Sequence, residues 1–172
     1  DHSFTLRHYI EAFSVDWVKE RGILWTGTAW NSFNTTFAIA LISSFPTAAI
    51  GILTAYLLTR HKFKGKNAFE FGTMLSFAIP GSVIGVSYVF AFNVPPLELT
   101  GTGIILVIAF VFRNMPVGVR AGIASMNQLD PHLDEASSTL NASSSQTFRN
   151  VILPLLKPAI TASLVFSFVR AM

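Results

Sequence analysis

"FNTTFAIALISSFPTAAIGILTAYLLTRHKFKGK", residues 33 to 66, opposes an apolar run to a basic one. No charge falls from Phe33 to Thr59, and then Arg60, Lys62, Lys64 and Lys66 arrive together. A helix needs about 20 mostly apolar residues to cross a bilayer core, and this run supplies them. Pro46 lies inside it; proline costs one helical hydrogen bond and kinks the rod, which membrane bundles tolerate. The basic run has the composition of a nucleic-acid patch. Between two apolar runs it reads instead as a positive-inside signal, which assigns this loop to the cytoplasm and no nucleic acid to the chain.

The rest of the chain follows the same pattern. Of its 172 residues 51% are hydrophobic and 12% charged, against about a quarter charged in soluble domains. No charge lies between Arg21 and Arg60, between Glu70 and Glu98, or between Glu98 and Arg113. The fold class expected is all-α: a polytopic transmembrane helix bundle in a lipid bilayer. Spans are expected near 33–59, 69–92, 103–125 and 158–172, with a cytoplasmic loop near 126–157 and an external or interfacial segment over 1–31. Pro80-Gly81 falls inside the second span, and the 93–103 loop has no Lys or Arg, as an external loop should. The first 31 residues carry Trp17, Trp25 and Trp30. Tryptophan favours the headgroup level, and a small cap of packed aromatics is the alternative. The start is not a signal peptide. The chain stops inside an apolar stretch and reads as a piece of a longer one, truncated in its fourth span.

Several chemistries lack their residues. There is no cysteine, which removes disulfides and thiolate metal sites. His2, His8, His61 and His132 have no paired metal spacing, and neither a Gly-x-Ser-x-Gly elbow nor a phosphate-binding Gly-rich loop ending in Lys-Ser or Lys-Thr occurs. No catalytic residue and no metal site is assigned. A membrane-embedded enzyme, a channel and a secondary transporter remain as rival classes; the last two have no need of the polar segment described next.

That segment is "LDEASSTLNASSSQTFRNVILPLLKPAI", residues 133–160. Asp130 is placed to cap a helix that starts with Pro131, and Asp134 and Glu135 suit its positive end. The helix should end by about Leu140, with Asn141 in the left-handed conformation that asparagine tolerates. Ser143 and Gln146 have capping-box spacing, so a second helix should carry Phe148, Val151, Ile152 and Leu155 on one side until Pro154 and Pro158 bend it. A short, acidic, rigidly held helix on the cytoplasmic side suits docking into a partner's groove. As a lipid-surface connector it would be repelled by an anionic leaflet.

Residues 135–160 resemble the EAA loop of membrane subunits of binding-protein-dependent ABC importers. The family pattern is Glu-Ala-Ala, three residues, Gly, nine residues, Ile, one residue, Leu-Pro. Glu135, Ala136, Leu153 and Pro154 match, while Ser137, Asn141 and Val151 stand for Ala, Gly and Ile. "IPGSVIGVSYVFAFN", the stretch from Leu99 to Ser137, and "PAITASLVFSFVRAM" are similar to the carboxy-terminal half of ferric-iron importer permeases. Permeases for aminoethylphosphonate, polyamines or thiamine share much of this pattern.

The resemblance implies a type I permease in a bacterial inner membrane. It implies an external solute-binding protein, a second permease half, fused or separate, and a cytoplasmic ABC ATPase dimer that binds the ATP and magnesium, so that this chain binds no cofactor. Asp130, Asp134, Glu135, Ala136 and Asn141 would form the coupling helix and its joint, with Leu153 and Pro154 fixing the following turn. Polar candidates for lining the path are Ser87, Tyr88, Arg113 and Asn114. Arg113 lies about 15 Å along its helix, near mid-depth. Anchoring to headgroups by snorkelling is the other reading of Arg113, and interhelical hydrogen bonding that of Ser87, Tyr88 and Asn114.

Overall fold

A computed structural model describes residues 6–18, 22–130 and 132–172. The chain is 77% helical. In order the elements are α1 (Arg7–Ala12), β1 (Asp16–Val18), β2 (Gly22–Leu24), α2 (Thr28–Arg60), α3 (Lys66–Ala78), α4 (Gly81–Ala91), α5 (Gly103–Met126), α6 (His132–Thr139), α7 (Ser144–Thr147), a π-helical turn (Phe148–Ile152), α8 (Leu153–Leu155) and α9 (Lys157–Ala171). The expected helix-start proline, Pro131, lies outside the described residues.

The chain divides into two compact units at Ile39/Ala40. In the first, β1 and β2 pair antiparallel, with Asp16 opposite Leu24 and Trp17 opposite Ile23. Thr26 Oγ1 donates to Asp16 Oδ2 at 2.9 Å, and Gly27 lies against the Ala12 carbonyl with no room for a Cβ. Trp30 meets Trp25 and Phe13 edge-on, at 4.2 and 5.8 Å between ring centroids, while Trp17 is 74% exposed. The ribbon is absent from the sequence reading because three-residue strands are too short to show alternation. The first long helix also begins at Thr28, inside the segment expected to be extramembrane.

The second unit is packed inside out relative to a soluble bundle. The α2 residues facing inward are Ala40, Ser43, Ser44, Thr47, Ala48, Gly51, Ile52, Thr54, Ala55 and Leu58. Leu41, Ile42, Phe45, Leu53 and Leu57 of the same helix are exposed. Small and hydroxylated residues inside, with large apolar ones outside, is the arrangement of helices solvated by lipid, where close backbone approach replaces apolar burial. The inward hydroxyls of Ser43, Ser44 and Thr47 donate to carbonyls of their own helix, Ala40, Leu41 and Ser43.

Glycine sets the helix crossings. A Cβ on Gly51 would lie 2.9 Å from Gly118 Cα, and one on Gly122 would lie 2.5 Å from Ala55 Cβ. Gly118 faces Ser163 of α9, and Met126, Leu156 and Ala159 share one cluster with Ile52 and Ile152. Later α5 residues thus meet earlier α9 residues, so the two run antiparallel.

The expected second span differs from a single rod. α3 and α4 meet at 105°. Ile79 is extended, with φ −86° and ψ 129°, before Pro80 at φ −57° and ψ 139°; a residue before proline is pushed out of the helical region. Among the described residues, α2 and α5 are each long and apolar enough to cross a bilayer. The bent pair α3–α4, and the pair formed by 144–155 with α9 at 71°, have the make-up of broken spans or re-entrant loops.

Candidate functional site

The polar segment folds as two helices around a defined joint. Asp130 Oδ1 accepts the His132 backbone N–H at 2.9 Å, and Asp134 and Glu135 occupy the first turn of α6. The helix closes with two backbone bonds, Asn141 N–H to Ser138 O and Ala142 N–H to Ser137 O. Asn141 has φ 59°, so the pair is a Schellman closure with asparagine in the left-handed seat. Ser143 and Gln146 then exchange both bonds of a capping box. Between the two helices, the buried Ser137 and Thr147 hydroxyls meet at 2.7 Å. A β-branched residue pays about 1–2 kcal/mol in the left-handed region. Asn141→Val should therefore lower the melting temperature of the purified full-length protein, and Asn141→Gly should not.

Beyond α7 the backbone widens into the π turn just before Pro154. Proline has no N–H for the carbonyl four residues back, and a π turn is a way to pass such a break. Leu153 is partly buried and Pro154 exposed, while Ile152 and Leu156 on either side are fully buried.

One face of α6 is seated and the other is free. On the seated side, Arg60 at the end of α2 places Nε 3.1 Å from Asp134 Oδ2. Nε is not aligned to donate, so this is a charge contact rather than a hydrogen bond. The Arg60 side chain is only 14% exposed, and Tyr56, one turn earlier, packs against Phe148 with the rings tilted by 57° and 4.6 Å between centroids. Removing the carboxylate leaves a half-buried cation alone. Asp134→Asn should cost roughly 1 kcal/mol, allowing for Asp134's partial exposure. Arg60→Gln combined with Asp134→Asn should cost less than the sum of the two, as read from a double-mutant cycle of unfolding.

The free face carries Glu135 (side chain 77% exposed), Ala136 and Leu140 (83% exposed). Leu140 is a large apolar residue with nothing over it among the described residues, and the sequence reading passed over it as the mere end of a helix. His132 Nδ1 lies 3.1 Å from Glu135 Oε2. That bond, then the charges of Asp130 and Glu135, raise His132 above the ordinary histidine range. The contribution of this contact is complete below the ordinary histidine pKa and fades as pH rises through the raised one.

The candidate path residues separate. Tyr88 and Arg113 line one cavity of about 240 Å³ with Ser76, Ile79 and Phe112. Ser87 is exposed and donates to Val83 O at 2.8 Å. Asn114 is 1% exposed and outside that cavity. Arg113 Nη1 is buried without a hydrogen-bond partner and lies where a Cβ on Gly81 would come within 2.6 Å. Arg170, unassigned in the sequence reading, places its guanidinium 4.9 Å from the Phe77 ring centroid.

A small-residue interior, an apolar exterior and long apolar rods define an integral membrane protein. The chain belongs to the family described as the inner membrane component of binding-protein-dependent transport systems, which matches residues 47–172.

Among curated relatives, the chain is 48% identical, over all 172 residues, to the putative ferric transport system permease protein FbpB 1 of Haemophilus influenzae, covering 26% of that protein. It is 47% identical over its whole length to the ferric transport system permease protein FbpB of Actinobacillus pleuropneumoniae, covering 24%. It is 28% identical, over 92% of its length, to the sulfate transport system permease protein CysT of Salmonella typhimurium, covering 61%. The chain thus spans about a quarter of the two ferric relatives, in their carboxy-terminal portion.

Proposed function

We propose that this chain is part of the permease of an ATP-driven, binding-protein-dependent importer for ferric iron in a bacterial inner membrane, crossing it several times. The observation that carries the reading is the α6 joint: an acidic helix, closed by Asn141 and seated by Arg60, that presents Glu135, Ala136 and Leu140 outward. The basic loop from Arg60 to Lys66 puts the end of α2, and with it α6, on the cytoplasmic side.

In this reading a cytoplasmic ATPase dimer binds the nucleotide and magnesium and grips α6. Its closure moves α6, and the rigid joint passes the motion on. Sequence order alone points that motion toward α5 and α9. The Arg60–Asp134 contact and the tilted Tyr56–Phe148 ring contact add α2. Differential contact of α6 with open and closed ATPase supplies the bias. An external binding protein delivers the cargo, and a second permease half completes the path. Tyr88 and Arg113 line it on this side, with Ser87 and Asn114 as further polar candidates. Asp130, Asp134, Glu135, Ala136 and Asn141 act as the coupling helix, and Leu153 and Pro154 set the turn behind it.

The test is reconstitution of the full-length protein with its ATPase and binding protein in proteoliposomes. ATP-dependent uptake of ferric iron and a crosslink from Glu135→Cys to the ATPase are expected. Uptake of sulfate with no iron overturns the cargo, and a complex in which the ATPase never reaches Glu135→Cys overturns the coupling.

A further inference from the structure

The break between α3 and α4 carries positive charge that no carboxylate among the described residues offsets. Arg113 brings its guanidinium against Gly81, the first residue of α4, and Nη1 is buried there with no acceptor. Arg170 lies over Phe77, at the end of α3. The first turn of α4 adds the positive end of a helix dipole to the same place. Among the described residues no carboxylate pairs with either arginine. Glu70 is engaged by Arg120 at 3.3 Å, and Glu98 is in the exposed 93–103 loop. Arg170 has aromatic faces to offset its charge; Arg113 has none.

Beside this charge is space. The cavity of about 240 Å³ is lined mostly by apolar residues, among them Leu75, Ile79, Ile84 and Phe112, with Arg113, Tyr88 and Ser76 as its polar members; the Ser76 hydroxyl donates to the Thr73 carbonyl. Gly81 is what keeps the guanidinium in place, since any Cβ there would collide with it. A buried guanidinium nitrogen without an acceptor, beside a cavity that Tyr88 also lines, matches an oxyanion. It opposes a bare trication, which would feel three times the repulsion of a single charge.

We propose that the α3–α4 break is an oxyanion station: Arg113 takes an oxyanion, either free or as a ligand of ferric ion, so that cargo passes this point as an anionic species and not as bare metal. This rests on the importer reading above and adds the charge of the travelling species.

The experiment uses the full-length protein in its assembled complex, in proteoliposomes, with uptake counted per assembled complex. Labelled ferric iron is supplied with labelled inorganic phosphate or labelled citrate, and labelled sulfate is supplied in a separate arm. The wild type should carry labelled anion in with iron in a fixed ratio. Uptake should follow the charge at position 113: Arg113→Lys within about threefold of wild type, Arg113→Gln down about tenfold, and Arg113→Glu down about 100-fold or more. Iron entering the wild type with neither labelled anion, or entering Arg113→Glu at the wild-type rate, overturns the station and leaves iron as the cargo. Sulfate entering in place of iron, with the same Lys, Gln, Glu order, overturns iron and keeps the station. The wild-type arm decides the matter even if a variant fails to assemble.

Discussion

Full-length protein carrying Ala136→Pro should reach the membrane at its normal level and lose ATP-driven uptake by roughly 100-fold. Ala136 sits in the middle of α6, which is only eight residues long. Proline there removes the N–H that would bond the His132 carbonyl and clashes with that carbonyl, at a cost of about 3 kcal/mol. A helix this short has no spare turn to absorb the loss. The apolar rods α2 and α5 are untouched, so insertion survives. Ala136 is exposed, so Ala136→Ser should keep uptake within about twofold, serine costing a helix only a few tenths of a kcal/mol. Glu135→Lys separates stiffness from contact. It costs α6 about 0.5 kcal/mol through the helix dipole, yet it reverses the charge of a fully presented side chain. Its loss of uptake would therefore report the partner surface. Both Ala136→Pro and Glu135→Lys transporting normally, per assembled complex, would sink the coupling mechanism.

Gly51→Ala should destabilise the bundle by about 3 kcal/mol in denaturant or thermal unfolding in detergent, the upper end for overpacking. The new Cβ would meet backbone only: Gly118 Cα at 2.9 Å, its carbonyl carbon at 3.0 Å and Val119 N at 3.2 Å. Backbone yields only if α2 and α5 move apart. The reciprocal change is milder. At Gly118 the closest atom is Ser163 Oγ at 2.6 Å, with Gly51 Cα at 3.3 Å. Gly118→Ala should cost about 1–2 kcal/mol, and adding Ser163→Ala should return most of it, because Ser163 Cβ lies at an ordinary 3.6 Å. Gly51→Ala as stable as wild type would mean that α2 and α5 do not cross at these glycines.

Much of the polar segment's local structure was legible before the fold. Asn141 in the left-handed seat and the Ser143–Gln146 capping box both follow from spacing alone, because each is closed by bonds among neighbours within five residues. The alternation of apolar runs with charged joints gave the all-α membrane class for the same reason: a helix in lipid must satisfy its backbone internally. Arg60 illustrates the limit. As one of four clustered cations it read as a topology signal; its contact with Asp134, 74 positions on, gives it a second role in seating α6.

The sequence by itself determined which stretches are helices, which of them suit lipid, and how the polar joint closes, since those depend on backbone bonds and composition over a few turns. Only the tertiary structure decided the 105° turn between α3 and α4, the meeting of Gly51 with Gly118, and the placing of the Arg113 guanidinium against Gly81. Those depend on which faces of distant helices touch. Proline and glycine permit a bend or a close approach, but the angle and the partner are set by the packing of whole rods.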